Sequence, residues 1–276
     1  LFPVIIPPAV IQLIYPDRDV PSVKKELSLI ALSLFAALPA AASQQSDSQG
    51  FIDDSRLDLF LRNAYISRDY HQGQQDKAEW GQGIIATFAS GYTEGPVGFG
   101  VDGIAQYGVR LDGGRGKSGA GGIDFFKQED DGRAKSDLAK FGATAKMRIS
   151  NTVLSYGNQR PELPIVNADS SRLLFESYTG TMLTSKEIDG LEINAGYFTD
   201  EQRKSDDRHD SGLKSLSFGG ASYQFNDQFS GAFYASHNEE VMNKQYLGLN
   251  FKQPFSTGQQ LVLDFNGYNS RLDQSH

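Results

Sequence analysis

Five basic side chains fall where residue alternation puts them on one polar face of extended chain: Arg62, Arg68, Arg110, Lys146 and Arg148. A guanidinium offers a carboxylate two parallel N–H donors, and an ammonium offers a compact positive charge. Set along a wetted wall, such groups make an electrostatic track for small carboxylate-bearing molecules, because low-dielectric walls focus the field. The plainer account is ion pairing with Asp58, Asp102 or Asp264. A second group gathers at the polar end of the stretch 160–172, which has prolines and no clean period: Asn167, Asp169, Ser170, Ser171 and Arg172, with Tyr178 soon after. Their hydroxyls, amides and charges can replace part of a solute's hydration shell. Leu163, Ile165 and Val166 in the same stretch read as anchors. The stretch is too apolar to float in water and too polar to face lipid, so we expect it to fold inward and narrow a pore. The alternative is a loop that only packs.

Other chemistries find less support. Gly114-Arg115-Gly116-Lys117-Ser118 resembles the end of a phosphate-binding loop, but the spacing needs glycine where Leu111 stands, and glycines follow where a helix should begin. A flexible loop is the better reading. A serine hydrolase would need a nucleophile elbow, and no G-x-S-x-G occurs. His209 lies beside Asp206, Asp207 and Asp210, so an Asp–His pair is conceivable, yet nothing fixes a serine near it. The same acidic cluster matches no calcium-loop spacing. With no cysteine there is no thiolate nucleophile and no Cys-based metal site. No cofactor or metal is expected.

The elements that must carry these residues are strands. Leu57, Leu59, Leu61 and Tyr65 share one face, and Asp58, Arg62 and Arg68 the other; a helical period would put Arg62 among the leucines. Over 97–112, Val97, Phe99, Val101, Ala105, Tyr107, Val109 and Leu111 alternate with Gly98, Gly100, Asp102, Gln106, Gly108, Arg110 and Asp112. Similar segments lie at 80–92, 141–149, 152–156, 181–187, 191–198, 213–225, 229–236, 245–253 and 260–268. That gives about 11 strands, many near the ~9–11 residues a tilted membrane-spanning strand needs. In 80–92, Gln82 falls on the aromatic side. Tight turns at 93–96, 150–151, 189–190 and 226–228 alternate with long connections at 112–137, 160–180 and 199–211, the asymmetry of an outer-membrane barrel. Tyr65, Tyr92, Tyr156, Tyr197, Phe198, Phe225 and Phe229 sit where interfacial girdles would.

With 26 Lys+Arg against 34 Asp+Glu the chain carries −8, which argues against a nucleic-acid partner. The 29 glycines and 11% aromatic content suit many turns and aromatic belts. Residues 23–42 read as a signal peptide: basic Lys24-Lys25, an apolar run at 27–38 shorter than the roughly 20 residues a spanning helix needs, and Ala40-Ala41-Ala42 as cleavage site. Residues 1–22, proline-rich and upstream of the basic pair, read as non-native upstream translation. Residues 43–276 form the β-barrel domain.

Several motifs in order resemble the OprD-type outer-membrane porins of pseudomonads. They are Gly50-Phe51-Ile52-Asp53-Asp54-Ser55 with Leu57-Asp58-Leu59 and Leu61-Arg62-Asn63, Ser90-Gly91-Tyr92-Thr93-Glu94-Gly95 with Val97-Gly98-Phe99-Gly100-Val101-Asp102, Lys146-Met147-Arg148-Ile149-Ser150, and Ser171-Arg172-Leu173. The resemblance runs from Gly50 onward. It implies an all-β, transmembrane, antiparallel up-and-down barrel of roughly 18 strands, often a homotrimer. It also implies a ladder of lumenal Arg and Lys and a third loop folded inward. The expected activity is passive, selective diffusion of small carboxylate-bearing solutes, amino acids or organic acids, with outer-membrane lipid and lipopolysaccharide as surroundings. A serine peptidase and a plugged structural barrel are the alternatives. The chain ends in a loop after about 11 strands, an odd number that cannot close such a barrel, so an incomplete domain that makes no stable channel alone is expected.

Overall fold

Alternation decides the architecture because each side chain must answer to one of two solvents. The computed structural model describes residues 43–71, 73, 75–112, 117–118, 124–209, 212–256 and 258–273. The expected leader at 23–42, the stretch 1–22 and the glycines of the 114–118 motif lie outside the described residues.

Eleven strands form one antiparallel sheet: β1 Arg56–Arg68, β2 Lys77–Ala89, β3 Val97–Asp112, β4 Asp137–Ile149, β5 Thr152–Gln159, β6 Ser177–Ser185, β7 Leu191–Gln202, β8 Leu216–Gln224, β9 Phe229–Asn238, β10 Met242–Ser256 and β11 Gln259–Leu272. Each pairs with its chain neighbours in the order β1 to β11, which is the up-and-down topology expected. Connections 69–76, 113–136, 160–176, 203–215 and 239–241 lie at one end, and the short turns 90–96, 150–151, 186–190, 225–228 and 257–258 at the other. The short-turn end is the periplasmic end of such barrels.

The outer face is apolar. Leu57, Leu59 and Leu61 are 64–68% exposed, and Phe99, Tyr107, Phe141, Tyr156 and Phe233 follow them around the sheet. Gln82 does fall on this face, but Asn63 donates to it at 3.0 Å, and the indole N–H of Trp80 donates to Asn63 at 3.0 Å. The polar pair is therefore satisfied where lipid would leave it orphaned. Two aromatics leave the expected girdle. Phe198 is fully buried on the inner face, and Tyr92 lies under the Lys146 and Arg148 cations. The chain follows parity, not proximity to a strand end.

Strand boundaries shift where bulges break the period. β5 runs three residues past Tyr156, to Gln159, and Gly157 adopts φ +134°. A Cβ there would sit 2.2 Å from the Ala143 carbonyl oxygen, so only glycine fits. This backbone turn points Asn158 inward, where it donates to Ser177 Oγ at 2.9 Å. Likewise β6 begins at Ser177, with a register shift at Thr179/Gly180.

Two apolar clusters lie on the inner face. One joins Leu163, Ile165 and Val166 to Phe198, Leu216, Phe218, Tyr234 and Tyr246. The other joins Leu173, Leu174 and Phe175 to Ile85, Phe125, Phe126 and Leu138. Both are built by the same connection, 160–176.

Candidate functional site

The connection 160–176 is apolar at both ends and polar in the middle, and the lumen wall takes it accordingly. Its first half is a small hairpin: Leu163 and Val166 exchange backbone hydrogen bonds at 2.9 and 3.2 Å, and Ala168 N–H donates to the Pro161 carbonyl at 2.9 Å. That hairpin buries its aliphatic side chains against β7–β10, as expected of Leu163, Ile165 and Val166. The second half seats Leu173 over glycines of β2. A Cβ on Gly83 would lie 3.1 Å from the Leu173 carbonyl oxygen, and one on Gly81 2.7 Å from a Leu173 methyl. Removing two side chains from the wall makes the slot that the loop fills.

Buried polar groups fasten the same segment. Gln106, 2% exposed, accepts from Phe175 N–H at 2.8 Å and donates to the Phe175 carbonyl at 3.3 Å. Lys140, 1% exposed, donates to the carbonyls of Phe175 at 2.6 Å and Arg203 at 2.7 Å, tying 160–176 to 203–215. Between its two anchored ends the segment presents a crest: Asn167, Ser170 and Ser171 are exposed, and Asp169 and Arg172 half-buried. Arg172 faces Asp124 at 3.8 Å. Tyr178 donates to Glu176 at 2.8 Å and its ring lies 5.6 Å from that of Phe198. This member of the predicted set therefore stands at the wall end of the loop.

The cations divide into two groups. Near the crest, Arg62 on β1 donates to the carbonyls of Ser170, at 2.7 Å, and Arg172. Its guanidinium lies 5.2 Å from the Phe175 ring centroid, and that of Arg160 lies 3.9 Å from the same centroid. Among the described residues neither arginine enters a salt bridge. Burial lowers the Arg160 guanidinium from its ordinary value; Glu162 pulls it back up and Arg62 adds to the lowering. Two like charges thus share one ring, with Glu162 the acid that acts on Arg160.

Three of the other cations meet protein acceptors. Lys146 pairs with Asp102 at 2.5 Å and donates to the Ser90 carbonyl at 2.9 Å. Arg148 donates to Gln45 at 2.9 Å and stacks 4.0 Å over Tyr92, and Gln45 in turn holds the carbonyls of Thr93 and Gly95 at 2.9 and 3.0 Å. Arg110 donates to the Ala134 carbonyl at 2.5 Å. Arg68 is exposed at the end of β1, opposite Lys77. Of the acids offered as partners, only Asp102 pairs with a cation of the track; Asp58 pairs with Arg56 and Asp264 accepts from Asn250.

Sequence reading missed Arg160 and Lys140. Lys140 shares the parity of Lys146 and Arg148, a signal lost by starting the strand at Phe141. Arg160 has no parity to read because the positive-φ turn at Gly157 precedes it. Below the crest, a hollow of about 320 Å³ is lined by Thr87, Asp102, Thr144, Ser155, Arg160 and Glu162. His209 pairs with Asp200 at 3.1 Å, while Asp206 and Asp207 go to Lys127 and Lys135 at 2.8 and 3.6 Å. The acidic cluster holds loops together.

Asp169 makes the crest sensitive to acid. Burial raises its carboxyl, but hydrogen bonds from Lys204 and Ser171 outweigh that and hold it at about 2, below the ordinary 3.8. A depressed carboxyl stabilises the loop above its ordinary value and loses that contribution as pH falls through the folded value. Current through the protein should therefore become noisier between pH 4 and pH 2, and Asp169→Asn should show the noise already at pH 7. A variant as quiet as wild type at pH 7 would refute the tie.

Known proteins share the fold. The sequence pattern described as outer membrane porin, OprD family, matches residues 49–276. Porin D of Pseudomonas aeruginosa is 37% identical over 243 residues, 85% of this chain and 54% of that protein. The chain therefore spans about half the length of this relative. The crystal structure of OccAB1 from Acinetobacter baumannii superposes with a TM-score of 0.79 at 34% identity, covering 84% of this chain and 56% of that one. OpdK of Pseudomonas aeruginosa, solved with vanillate, gives 0.73 at 30% identity, covering 82% and 59%.

Proposed function

Because this chain belongs to the OprD family of outer membrane porins, we propose that it passes small carboxylate-bearing solutes, amino acids or organic acids, by passive diffusion across the outer membrane. The observation that carries this reading is the pair Arg62 and Arg160 over Phe175, beside the crest and above the hollow. A guanidinium held in no salt bridge in a narrow, partly dry passage attracts an anion and offers it paired donors. The relative OpdK was solved with vanillate, an aromatic carboxylate, which supports the same solute class. In this proposal Lys146, Arg148 and Arg110 shape the field and the wall, while Arg62 and Arg160 beside Phe175, and Arg172 on the crest, meet the solute. Asn167, Ser170 and Ser171 replace its lost water.

The intact protein in planar lipid bilayers tests this. Benzoate at millimolar concentration should reduce the chloride current, and benzamide, its uncharged isostere, should not. Equal effects of the two would overturn the carboxylate reading while leaving a channel.

A further inference from the structure

At the short-turn end the segment 43–51 is laced to the turns of β2–β5. Gln44 N–H donates to Asn151 Oδ1 at 2.7 Å, and Gln45 N–H to the Ser150 carbonyl at 3.1 Å. Ser48 donates to the Tyr92 carbonyl at 2.7 Å, and Gly91 N–H to the Phe51 carbonyl at 2.9 Å. This lacing carries the Gln45 side chain, 3% exposed, onto the inner face of β3. Gly98 leaves the room: a Cβ there would lie 2.3 Å from Gln45 Oε1. The Gln45 NH2 meets two acceptors, the carbonyls of Thr93 and Gly95. They fix which way the amide faces, so its oxygen must point at Arg148, whose Nε–H donates to it at 2.9 Å.

The neutrality of that partner matters. Arg148 lies 4.0 Å and Lys146 4.8 Å over the Tyr92 ring, and Asp102 is taken by Lys146 at 2.5 Å. Among the described residues Arg148 enters no salt bridge. An acid at position 45 would grip the guanidinium and cancel its charge; an amide grips it and leaves the charge whole. A freed Arg148 would compete with Lys146 for Asp102, since Arg148 and Asp102 both act on the Tyr92 hydroxyl. Arg148 faces Val153 on β5, well short of Arg160 beyond the far end of that strand. At ~3.3 Å per residue the two positions are roughly 20 Å apart along the chain, so this charge is separate from the pair over Phe175.

We propose that Gln45 is a positioning residue that holds the Arg148 charge, uncancelled, at the periplasmic mouth, where it steers small anions through the exit. The inference rests on the channel reading and not on which anion passes. Equal effects of benzoate and benzamide would leave it standing.

Reversal potentials of the intact protein in planar bilayers, under a gradient of potassium chloride, provide the test. Gln45→Met fills similar space and lacks the amide. It should lower the chloride-to-potassium permeability ratio roughly two- to five-fold at about 0.1 M salt, and hardly at all at about 1 M, where charges are screened beyond ~3 Å. In an Arg148→Ala background the same substitution should change nothing. Gly98→Ala, which crowds the amide oxygen from the wall side, should repeat both results with the segment 43–51 unaltered in sequence. Ser48→Ala drops the bond to the Tyr92 carbonyl, spares Gln45, and should keep the wild-type ratio. An unchanged ratio in Gln45→Met and Gly98→Ala would overturn the proposal. So would an equal fall with and without Arg148, or a matching fall in Ser48→Ala, since the segment and not the amide would then set the mouth.

Discussion

Arg62→Ala/Arg160→Ala should weaken inhibition of the chloride current by benzoate roughly 10- to 100-fold. A hydrogen bond to a charged group contributes about 1.5–3 kcal/mol, and ~1.4 kcal/mol is one factor of ten. The two single variants should differ, because the arginines have different second jobs. Arg62 also holds the carbonyls of Ser170 and Arg172, so Arg62→Ala should free the crest and raise open-channel noise along with the loss of affinity. The Arg160 Nε is buried without a hydrogen-bond partner, so Arg160→Ala should lower carboxylate affinity and leave conductance steady. Undiminished affinity in Arg160→Ala would remove Arg160 from the site.

Lys140→Met should loosen two loops at once. The ammonium is buried and its partners are backbone carbonyls of 160–176 and 203–215, joined through Phe175 and Arg203. Methionine fills similar space and donates nothing, so buried carbonyls lose their donor at about 1–3 kcal/mol each. The removed cost of dehydrating an ammonium offsets part of this. A net local loss of about 2–4 kcal/mol is expected. It should appear as faster amide hydrogen exchange at Phe175 and Leu174, with strand amides of β3 and β4 unaffected. Gln106 still grips Phe175 from both sides, so the loop should fray and not detach. Unchanged exchange at those amides would assign the fastening to Gln106 alone.

Period two was readable in the chain because each strand separates hydrocarbon from water, and β3 appears at the limits its alternation implied. The inward turn was readable from the composition of 160–172, since Leu163, Ile165 and Val166 needed a wall and the polar end needed water; the second anchor, Leu173 to Phe175, was not read. Partners were not readable. Gln45 lies 103 residues from Arg148, and no local pattern joins them, so parity gave the face of Arg148 and nothing of its engagement. The kink at Gly157 was invisible for another reason. Gly157 reads as one more glycine until the Ala143 carbonyl is seen beside it, and everything after it, Arg160 included, changes phase. The matched slot of Gly81 and Gly83 under Leu173 is likewise a fit between distant segments.

A strut pinned at both ends has a consequence for engineering. The bore of this protein belongs to neither loop nor wall alone: the glycine notch on β2 and the aromatic bed on β7–β10 were cut for one span. Transplanting 160–176 into a foreign cylinder without Gly81, Gly83, Phe198 and Phe218 would strand its oily feet in water. Specificity travels only when feet and footings move together.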